Sequence, residues 1–301
     1  MCCMRTPSPA HAGPIAAPIA GPSPAGTPAA PTDLDVFPHH SDGIPPGVIS
    51  VGSYDLRFAW TRADLHAVQA LRYRVFNEEL QEGLAAATHT GRDADERDPW
   101  FHHLMIVHRP SGEIVGTYRL QTAVMAATRH GFYSATLFEL GAVPGAILGE
   151  AVEIGRACVA AAHRSGRVLR LLWKGLARYL QWNEKRYLFG CCSIGGLDET
   201  RAVDTWRALH AREALHDRVL VRPRPDVRAL ADDGRHRPQL DGDARQHALA
   251  IPLPPLFDGY LSLGARVCGA PAFDREFATT DYLVLLDIHA MEPRTYQSFF
   301  G

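Results

Sequence analysis

The chain predicts a mixed α/β fold, with antiparallel strands in its first half and a strand–helix–strand core after them. Three observations carry this. Two strand-like runs, 102–108 and 113–122, flank a Pro110-Ser111-Gly112 turn and so form a hairpin. A strand-like segment at 152–159 leads into a helix over about 166–183, with apolar residues at 169, 172, 173, 176 and 180, and then into an apolar strand at 187–194. This alternation runs from 51 to 300 without a linker, so one domain is expected over 49–301.

The remaining elements follow in order. Residues 1–48 hold 11 of the 22 prolines, among Ala, Gly and Ser, and bury too little apolar surface to offset their ordering entropy. A disordered tail is expected there. Residues 54–60 alternate as a strand, and Thr61 with Asp64 three positions on reads as a capping pair that opens a helix to about Leu80. After the core, Asp198 opens a second helix carrying Val203, Trp206 and Leu209. Residues 216–248 are charged and Pro/Gly-punctuated, which predicts a long loop, and 282–288 reads as a final strand.

Composition removes several function classes. With 31 basic and 33 acidic residues, the chain has no global pull toward nucleic acid or membrane. No apolar run approaches the roughly 20 residues of a membrane span. Pro14, Pro18 and Pro22 break the apolar core that a secretion signal needs. Cys2, Cys3, Cys158, Cys191, Cys192 and Cys268 show no zinc or disulfide spacing, so a cytoplasmic, reducing location is expected. Of fifteen histidines only His39-His40 and His102-His103 cluster, without the i, i+4 spacing of a zinc helix, and no metal is expected.

The most informative segment is Val152-Glu-Ile-Gly-Arg-Ala-Cys-Val159, which sets a carboxylate and a guanidinium three residues apart in a run of small and apolar residues. An unneutralised charge there is costly unless paired or used. Glu153 and Arg156 lie on opposite faces of a regular strand, whereas a bulge at Gly155 brings both to one cleft. Arg72 falls in the middle of the apolar arc of its helix and faces inward, either as a packed arginine or as one paired with Asp93, Asp95 or Asp98. Those three aspartates read as a solvated loop, unless the adjacent Pro99-Trp100-Phe101 packs it onto the body. Arg119 shares a strand face with Val115 and Thr117. The helix start at Gly166, with His163, Arg164, Arg167, Arg170 and Lys174 around it, suits a phosphate or is a basic solvated face.

Leu71-Arg72-x-x-Val75-Phe76, Asp95-x-x-Asp98, Val115-Gly116-x-x-Arg119-Leu120 and Glu153-x-x-Arg156 occur in the order seen in autoinducer synthases, acyltransferases of the GNAT-like fold. The chain resembles more closely the ornithine-lipid N-acyltransferases, sometimes labelled hemolysin-like. That resemblance rests on Asp98-Pro-Trp-Phe-His-His-Leu104, Gly131-Phe-Tyr-Ser134, the 152–159 segment with His163-Arg164, Leu172-Trp173-x-Gly175-Leu176, Leu188-Phe-Gly-Cys-Cys-Ser193 and Tyr260-Leu-x-Leu-Gly-Ala265, and spans about 54–300.

The resemblance implies a GNAT-like fold with a mixed central sheet. It also implies transfer of a 3-hydroxyacyl chain from the phosphopantetheine of acyl carrier protein to the α-amine of L-ornithine. On this reading Glu153 and Arg156 are catalytic, with Glu153 accepting the amine's proton directly or through a water, and N–H groups freed near Gly155 bind the thioester oxygen. Asp95 or Asp98 would bind an ammonium, and Arg119 or Arg72 a carboxylate, or these residues form a structural ion network. The carrier's phosphate would meet His163, Arg164, Gly166, Arg167, Arg170 and Lys174. No bound cofactor is needed, and a single-chain amphiphilic product implies loose attachment to the inner membrane face. The alternatives are another acceptor, such as glycine, glutamine, lysine or S-adenosylmethionine, or a module that binds acyl carrier protein or lipid without catalysis.

Overall fold

Alternating side chains build the first edge of the sheet. In the antiparallel pair β1 (Ile49–Val51) and β2 (Tyr54–Phe58), Tyr54, Leu56 and Phe58 are buried while Asp55 and Arg57 are partly exposed. The structure, a computed structural model, describes residues 36–230 and 238–301. Thr61 starts α1 (Arg62–Arg72) through a reciprocal cap: its hydroxyl accepts the Asp64 N–H, and the Asp64 carboxylate accepts the Thr61 N–H, both at 3.1 Å. The helix expected to reach Leu80 instead widens into a π-helical stretch, Tyr73–Glu79.

The hairpin β3 (His102–His108) and β4 (Glu113–Thr122) has the bounds that the sequence predicts. Short helices α2 (Ala123–Thr128) and α3 (Gly145–Gly149) precede β5 (Ala151–Val159). Then α4 (Arg167–Trp182) crosses to β6 (Tyr187–Gly195), which pairs parallel with β5. Asp198 caps α5 (Glu199–Ala211), its carboxylate accepting the Thr200 N–H at 2.8 Å. The chain finishes with α6 (Gly242–Ala250), α7 (Pro255–Ser262), β7 (Arg266–Val267), β8 (Ala272–Asp274), β9 (Thr279–Asp287) and α8 (Pro293–Phe300).

The strand order is β1-β2-β3-β4-β5-β6-β9-β7, with β8 also on β9, and every pairing except β5 with β6 is antiparallel. Both faces are covered. Leu104 and Ile106 of β3 join the cluster that contains Leu172, Leu176 and Leu180 of α4, while Met105 between them joins Val68 and Leu71 of α1. Among the described residues no helix is long and apolar enough to cross a membrane.

Two expectations change. Residues 36–48, read as tail, pack on the body: Ile44 is 2 % exposed, His39 stacks on Trp100 at 3.8 Å, and the Asp42 and Gly43 carbonyls accept bonds from Trp182 and Asn183. A few aromatic and branched residues outweigh the Pro/Ala composition there. Residues 1–35 lie outside the described residues. The 216–248 stretch is not simply a solvent loop, since Val219 and Val221 are buried beside β9 residues and α6 begins at Gly242; 231–237 lie outside the described residues.

β5 and β6 pair over three positions only, Ala151 with Tyr187, Val152 with Leu188 and Glu153 with Phe189. Where pairing stops, a Cβ on Gly190 would come within 2.1 Å of the Ile154 carbonyl oxygen, so only glycine permits this approach. Gly190→Ala is therefore expected to destabilise the protein by about 3 kcal/mol. Chemical denaturation measures this, and a loss below about 0.5 kcal/mol would show that the strands separate freely.

Candidate functional site

Beyond Glu153 and Phe189 the gap between β5 and β6 forms a cavity of about 240 Å³. Part of its lining is polar: Arg119, Tyr133, Glu153, Arg156, Asp274 and Asp281. Another part belongs to the main core and is apolar, with Trp173, Leu188, Phe257, Tyr260, Val284 and Leu286.

A bulge shapes the polar part. Arg119 of β4 faces Gly155 and Thr117 faces Cys158, so β5 carries one residue more than its partner over this interval. Arg156 absorbs the excess at φ 48°, a left-handed conformation that costs a non-glycine residue about 1 kcal/mol or more. Of the two geometries open from sequence, the bulged one holds, and Glu153 and Arg156 line the same cavity.

Glu153 is 3 % exposed. Its Oε2 accepts the Tyr133 N–H at 2.8 Å and its Oε1 the Ser134 N–H at 2.7 Å. Burial lifts its pKa above the usual carboxylate value, and these donors restrain the rise. Arg156 lies between Phe76 and Phe277, each ring centroid 4.2 Å from its guanidinium carbon, and pairs with Asp93. Its buried Nε has no partner among the described residues.

Arg72 and Asp98 do not reach the cavity. Both have no exposed side-chain surface. Arg72 donates to Asp93 Oδ1 at 2.9 Å and to both Asp98 oxygens at 2.8 and 2.6 Å. Arg119 donates to Asp98 at 2.9 Å and to Asp95. Gln69 adds a further donor to Asp98 at 2.9 Å. Three arginines and three aspartates thus close a buried, neutral network. Burial alone would raise Asp98, but Arg72 and Arg119 outweigh it and hold the carboxyl well below the usual range. Of the two readings open for these residues, an acceptor site or a structural ion network, the structure shows Asp95, Asp98 and Arg72 paired within the network and away from the cavity lining. Arg119 and Arg156 are the members of the network that also line the cavity.

The basic helix start divides in the same way. Arg164 forms a two-pronged pair with Glu79, 2.8 Å on one side, and donates to the Val159 carbonyl; His163 Nδ1 is 2.9 Å from the Tyr54 hydroxyl. Gly166 caps α4 at φ 82°, with Arg167 and Arg170 exposed in the first turn and Lys174 one turn on.

Sequence reasoning missed Tyr133, Asp274 and Asp281. Tyr133 donates its hydroxyl to Asp274, whose Oδ1 also accepts the Glu276 and Phe277 N–H groups. Asp281 is 1 % exposed, accepts the Thr279 hydroxyl at 2.9 Å, and lies opposite Ser193 on the neighbouring strand. The available signal was a lone carboxylate just before the apolar run at 282–288.

The acetyltransferase (GNAT) domain family matches residues 71–174, which hold Arg72, the aspartate loop, the bulge and the start of α4. Among solved structures, the AHL synthase LasI superposes with a TM-score of 0.44 at 11 % identity, covering 83 % of this chain and 96 % of its own. An L-ornithine N(alpha)-acyltransferase of Rhizobium meliloti (strain 1021) is 33 % identical over 83 % of this chain and 85 % of its own length. One of Brucella abortus (strain 2308) is 34 % identical over 292 residues, 88 % of this chain and 94 % of its own length. The chain belongs to the L-ornithine N(alpha)-acyltransferase family.

In this acyltransferase the thiols are poor nucleophiles. Burial pushes the Cys158 thiol up to about 12 and Cys191 and Cys192 well above the usual thiol value, which keeps them protonated. Burial, reinforced by Asp274, also pushes Asp281 up to about 7 from 3.8.

Two outcomes follow from these charges. Asp98→Asn leaves Arg72 and Arg119 undercompensated and is expected to cost about 3–5 kcal/mol of stability, read from denaturant unfolding. A cost below 1 kcal/mol would refute the closed network. Asp281 has the opposite sign: with its pKa raised, the fold is favoured while the carboxyl is protonated, and that advantage is lost as pH rises from about 4 through about 7. Asp281→Asn should therefore stabilise the acyltransferase relative to wild type by about 2 kcal/mol at pH 8 and by little at pH 4.5. Equal effects at both pH values would place the charge elsewhere.

Proposed function

We propose that this acyltransferase moves a 3-hydroxyacyl chain from acyl carrier protein to the α-amine of L-ornithine, giving lyso-ornithine lipid, the first step of ornithine lipid synthesis. The observation that carries this reading is the cavity in the β5–β6 gap, where a charged amino-acid-sized region meets an apolar region of the core. A thioester placed between them would lay its chain along Trp173, Leu188 and Leu286 and turn its carbonyl toward the bulge. The Tyr260 hydroxyl, 2.6 Å from that of Tyr118, is a polar group within the apolar part and suits a hydroxylated chain. The acceptor follows the relatives' names.

In the reaction the amine nitrogen attacks the thioester carbon, the C–S bond breaks and the C–N bond forms. Glu153 takes the proton that the amine loses, directly or through a water, and the departing thiolate is protonated to the thiol. Backbone N–H groups of 155–157, which line the cavity beside the bulge, stabilise the charge on the carbonyl oxygen. Arg156, with its unpartnered Nε, and Arg119 hold the acceptor's carboxylate.

The donor's single phosphate binds at Gly166, Arg167, Arg170 and Lys174, and this basic face docks the acidic carrier protein. His163 and Arg164 act instead by fixing the loop before α4, through Tyr54 and Glu79. The protein works in the cytoplasm, loosely attached to the inner membrane face that receives its amphiphilic product.

The test is incubation of the purified protein with 3-hydroxyacyl carrier protein and a mixture of amino acids, with products identified by mass spectrometry. N-acylornithine is expected. Glu153→Gln should lower kcat about 10²-fold and remove the acid limb of the pH–rate profile. A variant that loses rate but keeps that limb would reduce Glu153 to an anchor for Tyr133 and Ser134.

A further inference from the structure

Every other buried carboxylate in or beside the cavity has an arginine or at least two backbone N–H groups as partners. Asp93 and Asp98 meet arginines, Glu153 accepts two backbone N–H groups, and Asp274 accepts the Tyr133 hydroxyl and two backbone N–H groups. Asp281 differs. It lies on the cavity wall, 1 % exposed, and accepts the Thr279 hydroxyl at 2.9 Å. No ion pair among the described residues includes it. A carboxylate kept at a cavity without a countercharge is costly to the fold and is relieved when a cation enters.

Asp281 is also within reach of the reacting end. Ser134, whose N–H binds Glu153, is 3.7 Å through its hydroxyl from the Cys191 thiol, and Cys191 in turn contacts Asp281. On a parallel route Tyr133 binds Glu153 through its N–H and Asp274 through its hydroxyl, so one tyrosine length separates those two carboxylates. A five-carbon amino acid with a terminal ammonium can span such a distance.

We propose that Asp281, backed by Asp274, binds the side-chain ammonium of the acceptor and makes the cavity selective for a diamino acid. This rests on the acceptor reading above. It assigns the α-carboxylate of ornithine to Arg119 and Arg156, the side-chain ammonium to Asp281 and the α-amine to Glu153. Burial, which raises the carboxyl in the empty site, and ammonium binding, which favours its ionised form, then act in opposite directions on one group.

The decisive experiment compares kcat/KM for ornithine and for norvaline, which has the same carbon skeleton without the terminal amine, in wild type and Asp281→Asn. Wild type should prefer ornithine by at least about 10²-fold, and the variant should lose at least about 30-fold of that ratio. An unchanged ratio in the variant overturns the proposal, as does a wild type that does not discriminate. If the variant turns over neither acceptor, calorimetric binding of both supplies the same ratio, and an unchanged value again overturns the proposal. A wild type that acylates neither ornithine nor norvaline, but another amine, refutes the acceptor reading itself, a result distinct from an unchanged ratio.

Discussion

The buried pairing of Arg72 with Asp98 is the constraint on which the site depends. It ties α1 to the loop before β3, and through Arg119 and Asp93 it reaches β4 and the bulge of β5. Four segments distant in sequence are thus held by a charge balance that tolerates no missing member. Its hydrogen bonds satisfy the fork of Arg72 on all three nitrogens, which a lysine could not reproduce. One arginine of this set, Arg156, sits in a left-handed backbone conformation, and its pairing with Asp93 and its place between two phenylalanines hold that strained residue in position.

The second constraint is the early end of the β5–β6 pairing. Gly190 lets the two strands approach closely at the point where they part, and Gly155, Arg156 and Ala157 at the bulge line the gap beyond. The gap so brings charged side chains beside a cleft lined by apolar core.

Stability and function divide the ionisable groups between them. The arginine–aspartate network stabilises the fold and keeps its carboxylates ionised, whereas Asp281 and Glu153 are buried where ionisation is disfavoured. Groups of the second kind weaken a fold and are retained where they meet a substrate. Asp274, anchored by Tyr133 and by two N–H groups, raises the pKa of its neighbour Asp281.

Local chemistry alone determined much of this protein. The Thr61–Asp64 and Asp198 caps, the hairpin turn, the apolar face of α4 and the inward direction of Arg72 depend on spacings of a few residues, and these were legible as such. Glu153 and Arg156 also stood out, as charges in an apolar run. What only the tertiary structure decided were relations across long separations. Whether Asp98 meets a substrate or Arg72, twenty-six positions away, depends on how α1 lies on the sheet. Asp281 acquires meaning only because β9 pairs with β6 and sets it against Ser193 at the cavity. A carboxylate's sequence neighbours do not reveal its countercharge, since electrostatic compensation is a property of position in space, and that is why the acidic wall of the site escaped the sequence while its helices and strands did not.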